Sequence, residues 1–352
     1  MKVLIADDSA TARQLMVHLI NHSADMVVVG QAHNGQQAVR LTHELHPDVI
    51  LMDIVMPGMD GLAAAREIMC AQPTPIVMVS AGLNKQETNV AFQAIRTGAL
   101  TVLQKPVGPG HPDYAVQSVS LVNSVRAMAG VKVIHHRKSD AAAYRPDIEA
   151  PVFIEREPPE ITAIAASTGG PAALSEIFSG LPPDFPLPVV VVQHISSDFL
   201  PSLVEWLGKT ASLTVKIAEA GEEPVPAHIY FAPGDAHLEV ARNRRFRLDR
   251  TPGKASYMPS SDILLESVAA SFGPRAVGVV LTGMGSDGAR GLRAMRDVGA
   301  YTIAQDEATS VVFGMPQEAF LSGAACDVLP IKAVAPTLAS LGARNRKEQT
   351  HE

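Results

Sequence analysis

Short apolar runs alternating with amphipathic stretches recur along most of this chain. Val3–Ala6, Met26–Val29, Val49–Met52, Ile76–Ser80 and Leu100–Leu103 are of strand length and almost wholly apolar. Between and after them, residues near 11–24, 35–45, 60–71, 86–97 and 113–128 place apolar side chains at helical spacing. A strand that meets no water on either face reads as a continuous apolar run rather than an alternating one. Five strand–helix units therefore predict a parallel sheet covered on both faces. A second series begins with Ile161–Ala166 and continues through Pro188–Gln193 and Ala276–Leu281, with helical patterns over Phe199–Lys209, Asp262–Phe272 and Arg290–Asp297. His228–Ala232, Leu238–Ala241 and Arg244–Asp249 predict shorter strands, with Arg242-Asn243 as a hairpin turn.

Between the two series the periodicity stops. Residues 131–158 mix both charges with prolines and predict a tether. The expected organisation is a domain over 1–130, a linker over 131–158, a second domain over 159–345 and a polar tail over 346–352. His135-His136 in the linker has no acidic or cysteine cluster beside it, so it predicts a solvated pair rather than a metal site.

Composition narrows the class. The 352 residues suffice for two domains, each with its own core, and 47% hydrophobic with 18% charged residues suits a globular protein. Val189–Val192, among the longest wholly apolar runs, falls far short of the roughly 18 residues of a membrane span. The start, Met1-Lys-Val-Leu-Ile-Ala-Asp7-Asp8, turns acidic too early for a signal peptide, so a cytoplasmic protein without direct membrane insertion is expected. Cys70 and Cys326 fall in different domains and are expected as buried free thiols in a reducing compartment. The net charge is −7, and residues 160–352 carry 16 Lys and Arg against 21 Asp and Glu. A nucleic-acid-binding module is normally basic, so no nucleic acid is expected as partner.

In a parallel sheet the ligand site lies beyond the carboxyl ends of the strands. In the first domain those ends carry Asp7 and Asp8, Asp53, Ser80, and Lys105 followed by Pro106. Clustered carboxylates repel unless a cation sits among them, and a hard dication with oxygen ligands, Mg²⁺, fits Asp7, Asp8 and Asp53. A carboxylate there can attack a phosphoryl group, while the Lys105 ammonium and the Ser80 hydroxyl hold its oxygens.

In the second domain Ser167, His194 and Asp287 each follow an apolar strand, so one sheet edge would bring them together. That is the constellation of a serine hydrolase: nucleophile, base and orienting acid. Ser167 begins Ser-Thr-Gly-Gly-Pro, a strand-to-helix turn at the positive end of a helix. Glycines 283, 285 and 288 permit close backbone approach and expose N–H groups for an oxyanion. The order Ser…His…Asp differs from that of the α/β hydrolases, and Ala165 stands where their elbow has its first glycine, so that fold is not expected. Other readings stay open on spacing alone: Ser167 and Asp287 as helix caps, His194 as a satisfied strand-end histidine, and the glycine turn as a dinucleotide cradle. The last lacks a full Gly-x-Gly-x-x-Gly.

Resemblance adds what spacing does not. Leu4-Ile-Ala-Asp7-Asp8-Ser9, Leu51-Met-Asp53-Ile-Val-Met-Pro57-Gly-Met-Asp60-Gly61 and Lys105-Pro106 resemble a response-regulator receiver domain, over residues 1 to about 128. This implies a flavodoxin-like (βα)5 fold with Asp53 as phosphoacceptor. It also implies Asp7, Asp8, Asp53 and the Val55 carbonyl around Mg²⁺, a cis Lys105–Pro106 bond, and a histidine kinase of the chemotaxis type as phosphodonor. Receivers commonly carry an aromatic switch three residues before the lysine; Val102 stands there, so signalling is expected through Ser80, the 81–90 loop and the fourth helix.

The second domain, on Ala166-Ser-Thr-Gly-Gly-Pro171, Gln193-His194, Leu281-Thr-Gly-Met-Gly-Ser-Asp-Gly288 and Ala304–Pro316, resembles the catalytic domain of the chemotaxis protein-glutamate methylesterases. That implies a doubly wound, mainly parallel α/β domain with Ser167, His194 and Asp287 as its triad, Met284 and Thr168 as oxyanion donors, and no cofactor for the esterase. The implied substrates are γ-methyl esters, and glutamines, on the cytoplasmic domains of chemoreceptors. Two readings from other classes stand beside it: a regulator whose second domain only binds a partner, and a nicotinamide-dependent oxidoreductase.

Overall fold

A computed structural model describes residues 1–80, 101–131 and 157–349, with side chains to 343. The chain forms two compact units, Met1–Asp140 and Ala141–Glu352.

In the first unit β1 (Lys2–Ala6), β2 (Val27–Ala32), β3 (Val49–Asp53), β4 (Ile76–Ser80) and β5 (Thr101–Gln104) form one sheet in the order β2-β1-β3-β4-β5, and every pairing is parallel. The central β3 and β4 are buried at every position, which is why they are apolar throughout. Edge strand β2 runs on past its apolar residues to Ala32, because an edge half open to water tolerates Gly30 and Gln31. Helices α1 (Ala10–Asn21), α2 (Gly35–Leu45) and α3 (Gly61–Ala71) each start on a side chain that accepts a backbone N–H, from Ser9, Asn34 and Asp60. Helix α4 (Tyr114–Ala129) closes the unit. The helix expected over 86–97 and the 81–90 loop lie outside the described residues, as do His135 and His136.

The second unit is a seven-stranded, wholly parallel sheet. Its order is β14 (Asp327–Leu329), β13 (Tyr301–Gln305), β12 (Ala276–Val280), β6 (Ile161–Ala166), β7 (Val189–Gln193), β9 (His228–Phe231), β8 (Thr214–Ile217). Alternate residues Ala163, Ala165, Val190, Val192 and Val280 pack against Leu264, Leu265 and Val268 of α7 (Ser261–Phe272) and Leu292 and Met295 of α8 (Ala289–Asp297). Helix α5 (Gly170–Gly180) packs against α10 (Ile331–Gln349). Helices α6 (Leu200–Gly208) and α9 (Met315–Leu321) complete the unit. β10 (His237–Val240) and β11 (Phe246–Asp249) form a separate antiparallel hairpin.

Several expectations change. β8, β13 and β14 are additional strands; β8 and β14 are short sheet edges whose apolar runs are broken by Thr214 and Lys216 and cut short by Asp327. The hairpin turn extends to Arg245, with Arg244 in the left-handed region at φ 62°, so Arg244 belongs to the turn and not to the strand. Neither cysteine is buried. Cys70 lies off the buried stripe of α3 set by Gly61, Ala64, Ala65 and Ile68, and Cys326 sits just before edge strand β14. Helix α10 runs to Gln349, into the stretch expected as a polar tail, because Arg346-Lys-Glu-Gln349 are good helix formers. The Lys105–Pro106 bond is not cis; among the described residues the cis bond is Met258–Pro259. The trans form is the default for an X–Pro bond, and Lys105 reaches its carboxylates from it. No described helix is long and apolar enough to cross a membrane.

Gly61 shows how tightly the first unit is drawn around its acidic rim. Its N–H donates to the Ile54 carbonyl (3.0 Å), and a Cβ there would run into the Asp53 carbonyl oxygen. Gly61→Ala is expected to lower the unfolding free energy of the receiver unit by about 2 kcal/mol, the usual scale of a forced backbone shift. Denaturant unfolding of the two proteins measures it.

Candidate active site

In the sheet order β12-β6-β7, Ser167 leaves the carboxyl end of the central strand and His194 that of its neighbour. Ala166 pairs with Gln193, and the His194 N–H donates to the Ala166 carbonyl at 2.9 Å, so the two residues stand at adjacent strand ends. Gln193 fastens them together: its side-chain amide donates to the carbonyls of Ser167 (2.8 Å) and His194 (3.1 Å). Asp287 arrives from the turn after β12, and its Oδ2 accepts from His194 Nε2 at 2.8 Å, with the two side chains 8% and 11% exposed. A carboxylate at Nε2 fixes the tautomer protonated there and leaves Nδ1 with a lone pair. His194 Nδ1 is buried and has no hydrogen-bond partner among the described residues. The basic atom is thus Nδ1, and it is free to receive a proton.

Asp287 is the most elaborately held group of the site. Besides His194 it accepts from the Ser260 hydroxyl (2.8 Å) and from the backbone N–H groups of Ser261 (2.6 Å) and Asp262 (3.1 Å) at the start of α7. Burial pushes its pKa up, but the bond and charge of His194 and the two backbone donors outweigh it and hold the carboxyl down at about 2. Asp287 caps a helix, though not its own. Helix α8 starts beyond Gly288, which stands at φ 103° and offers no side chain as a cap. Asp262, in α7, supplies the missing acceptor, taking the N–H groups of Gly288 (2.9 Å) and Gly291 (2.8 Å). Each acid caps the other's helix.

The oxyanion candidates lie around the same turn. The Ser167 N–H is spent on the Thr282 carbonyl at 3.1 Å and cannot serve a substrate. Among the described residues the N–H groups of Thr168 and Met284 have no acceptor. Thr282 joins the two turns, its hydroxyl donating to the Thr168 carbonyl at 2.9 Å and its N–H to Gln305 Oε1 at 2.8 Å. Gly283 lets the turns close: a Cβ there would stand 2.7 Å from Ser167 Cβ. Ala165 lies inside β6, two residues before the turn, and its methyl fits against Gly288, where a Cβ would stand 3.3 Å away. The position where the elbow pattern has its glycine thus lies in the strand, ahead of the serine turn.

On the receiver unit the rim residues also converge. Oxygens of Asp7, Asp8 and Asp53 lie within 4.8 Å of one another. Lys105 Nζ bridges Asp7 Oδ2 (2.9 Å) and Asp53 Oδ2 (2.7 Å). Burial, with help from Asp7 and Asp8 and against the pull of Lys105, raises the Asp53 carboxyl to about 6. Three carboxylates with one ammonium between them are under-neutralised, and an all-oxygen set with an exposed Asp8 open to water suits a hard dication such as Mg²⁺. Ser80 is buried at the end of β4, its carbonyl accepting from the Lys105 N–H at 2.8 Å, and Val55 is exposed in the loop after β3. Val102 is buried in β5.

Gln193, Ser260, Asp262, Thr282 and Gln305 carried no assigned role in the sequence. Ser260-Ser261-Asp262 before an apolar helix is a legible cap signal, but which acid would use it is not. The strand-end glutamines bond across the sheet and leave no local pattern.

The chain matches two family models: CheB methylesterase over residues 162–338 and response regulator receiver domain over residues 3–116. It is 44% identical over 342 residues to protein-glutamate methylesterase/protein-glutamine glutaminase 4 of Geobacter metallireducens, covering 97% of this chain and 98% of the relative. The Myxococcus xanthus protein of the same description is 42% identical, covering 97% and 96%. The crystal structure of the Thermotoga maritima CheB methylesterase catalytic domain superposes with a TM-score of 0.50 at 41% identity, covering 52% of this chain and 98% of that one.

The depressed pKa of Asp287 makes a stability prediction. Its charged form is favoured by folding, so the contribution is complete above about pH 4 and is lost as pH falls toward 2. Between those limits the catalytic unit should lose about 2 kcal/mol that Asp287→Asn does not lose. Parallel acid-unfolding curves of the two proteins measure the difference.

Proposed function

This chain belongs to the CheB methylesterase family and carries a receiver domain ahead of the catalytic one, and from that premise we propose that Ser167, His194 and Asp287 hydrolyse glutamate γ-methyl esters on the cytoplasmic domains of chemoreceptors, under control of phosphorylation at Asp53. It is a carboxylic ester hydrolase of the protein-glutamate methylesterase/protein-glutamine glutaminase kind. The observation that carries the site assignment is the His194 ring, bonded to Asp287 through Nε2 and left with a buried, unpartnered Nδ1 beside the Ser167 strand end.

His194 Nδ1 takes the Ser167 hydroxyl proton as the oxygen attacks the ester carbonyl. The carbonyl oxygen becomes an anion, received by the N–H groups of Thr168 and Met284. The imidazolium stands against Asp287, already ionised, which stabilises its charge without taking its proton. Nδ1 then hands the proton to the departing methoxide, and methanol leaves. Water, deprotonated by the same nitrogen, releases the acyl-enzyme as free glutamate. With a glutamine the leaving group is ammonia and the rest is unchanged, so one site accounts for both activities.

On the receiver unit Asp7, Asp8, Asp53 and the Val55 carbonyl would hold Mg²⁺, which when bound offsets the negative charge of an incoming phosphoryl group. Asp53 accepts the phosphoryl group from a histidine kinase of the chemotaxis type; Lys105 and Ser80 hold its oxygens. The unphosphorylated receiver restrains the esterase, and a cytoplasmic location follows from these partners.

Methanol release from methylated receptor membranes tests the esterase: Ser167→Ala is expected to fall to background and Asp287→Asn by on the order of 10⁴-fold in kcat. Near-normal release by Ser167→Ala sinks the nucleophile assignment. A small acyl phosphate should accelerate the wild type. Asp53→Asn, or chelation of the dication, should abolish that acceleration and leave basal hydrolysis in place. Removal of residues 1–130 should raise the basal rate, and an unchanged or lower rate counts against restraint by the receiver.

A further inference from the structure

The loop between β11 and α7 is tied down at both ends. Lys254 Nζ reaches Glu239 at 2.6 Å and Asp249 at 2.7 Å on the β10–β11 hairpin. Six residues on, Ser260 caps α7 and holds Asp287. Between these anchors Tyr257 lies over His194, with ring centroids 4.7 Å apart and the planes 12° from parallel. The phenol then reaches across the site, so that its oxygen stands 3.2 Å from where a Cβ on Gly285 would be, next to Met284. Tyr257 remains 44% exposed, and its hydroxyl makes no hydrogen bond among the described residues. Neither core packing nor a polar partner accounts for where this ring sits. Its close neighbour is the imidazole.

The imidazole needs such a neighbour. His194 must present Nδ1 to Ser167 while Nε2 stays on Asp287; the polar contacts of the ring, Asp287 Oδ2 at 2.8 Å and the Ser261 hydroxyl at 3.4 Å, both gather at Nε2 and leave the ring free to rock about that one atom. A second ring packed on its face removes that freedom. When Nδ1 takes the proton the ring becomes a cation, and an aromatic face carries the negative side of its quadrupole toward it. One contact thus serves the resting geometry and the charged state.

We propose that Tyr257 is a positioning residue of the esterase, its ring face locking the His194 imidazole in register with Ser167 and favouring the imidazolium formed during acyl transfer. This rests on the reading of Ser167 as nucleophile and His194 as base. The ring matters, and the hydroxyl does not.

The test uses the full chain with Tyr257→Leu, which keeps apolar bulk without a π face, and Tyr257→Phe, which keeps the face without the hydroxyl. Two readouts are taken: kcat and KM for methanol release, and the rate at which a small sulfonyl fluoride labels Ser167. The second probe reports serine activation and makes almost no substrate contact. Tyr257→Leu is expected to lower kcat about 5- to 30-fold with KM within about twofold, and to slow labelling by a similar factor. Tyr257→Phe should restore both to within about threefold of wild type. An unchanged kcat in Tyr257→Leu overturns the proposal. So does a rise in KM alone with labelling unaffected, which would make Tyr257 a substrate wall, or a Tyr257→Phe variant as impaired as the leucine one. A wild type that releases methanol equally well as Ser167→Ala would refute the underlying site, and that result is separate from any Tyr257 outcome.

Discussion

Taking a carboxylate out of water is unfavourable by several kcal/mol unless its oxygens find donors, and the way Asp287 finds them organises the catalytic unit. Its four donors come from His194, from the Ser260 hydroxyl and from the first two N–H groups of α7. None of them is a neighbour in sequence. Helix α7 must therefore dock with its N-terminus at the strand ends, and Asp262, by capping α8 in return, holds the Asp287 turn in place. The contact that keeps the acid ionised also keeps the imidazole oriented, so stability and chemistry share one set of bonds.

Close backbone approach is the second constraint. Gly283 brings the Met284 turn against Ser167, and Gly170 lets α5 start over the Gln193 amide, where any Cβ would collide with Oε1. Gln193 and Gln305 stitch the turns from neighbouring strands. Thr282 consumes the Ser167 N–H and so decides which donors stay free. The N–H groups of the half-buried Thr168 and Met284 have no acceptor among the described residues.

The receiver rim uses the opposite balance. Asp287 has four donors and sits near pKa 2, whereas one ammonium serves Asp7 and Asp53 with Asp8 beside them, and Asp53 is pushed up to about 6. A saturated acid is a fixed structural charge. An under-neutralised cluster is held together against its own repulsion, which a further cation would relieve.

Much of this was legible in the residues themselves. Apolar runs such as Val189–Val192 and Ala276–Val280 announce strands buried on both faces, since a strand that never meets water needs no polar alternation. The strand-end rule then placed Ser167, His194, Asp287 and the receiver acids on sheet edges, because in a parallel sheet every strand ends on the same side. The edge strands β8 and β14 and the exposed Cys70 escaped because exposure there is decided by neighbours rather than by the local pattern. What only the tertiary structure decided is how the groups are wired: Nε2 rather than Nδ1 on Asp287, α7 rather than α8 capped by that acid, Tyr257 over the imidazole. Those contacts join residues 25 to 93 positions apart, and a hydrogen bond depends on direction and distance in space, which the chain acquires only when its helices settle against the sheet.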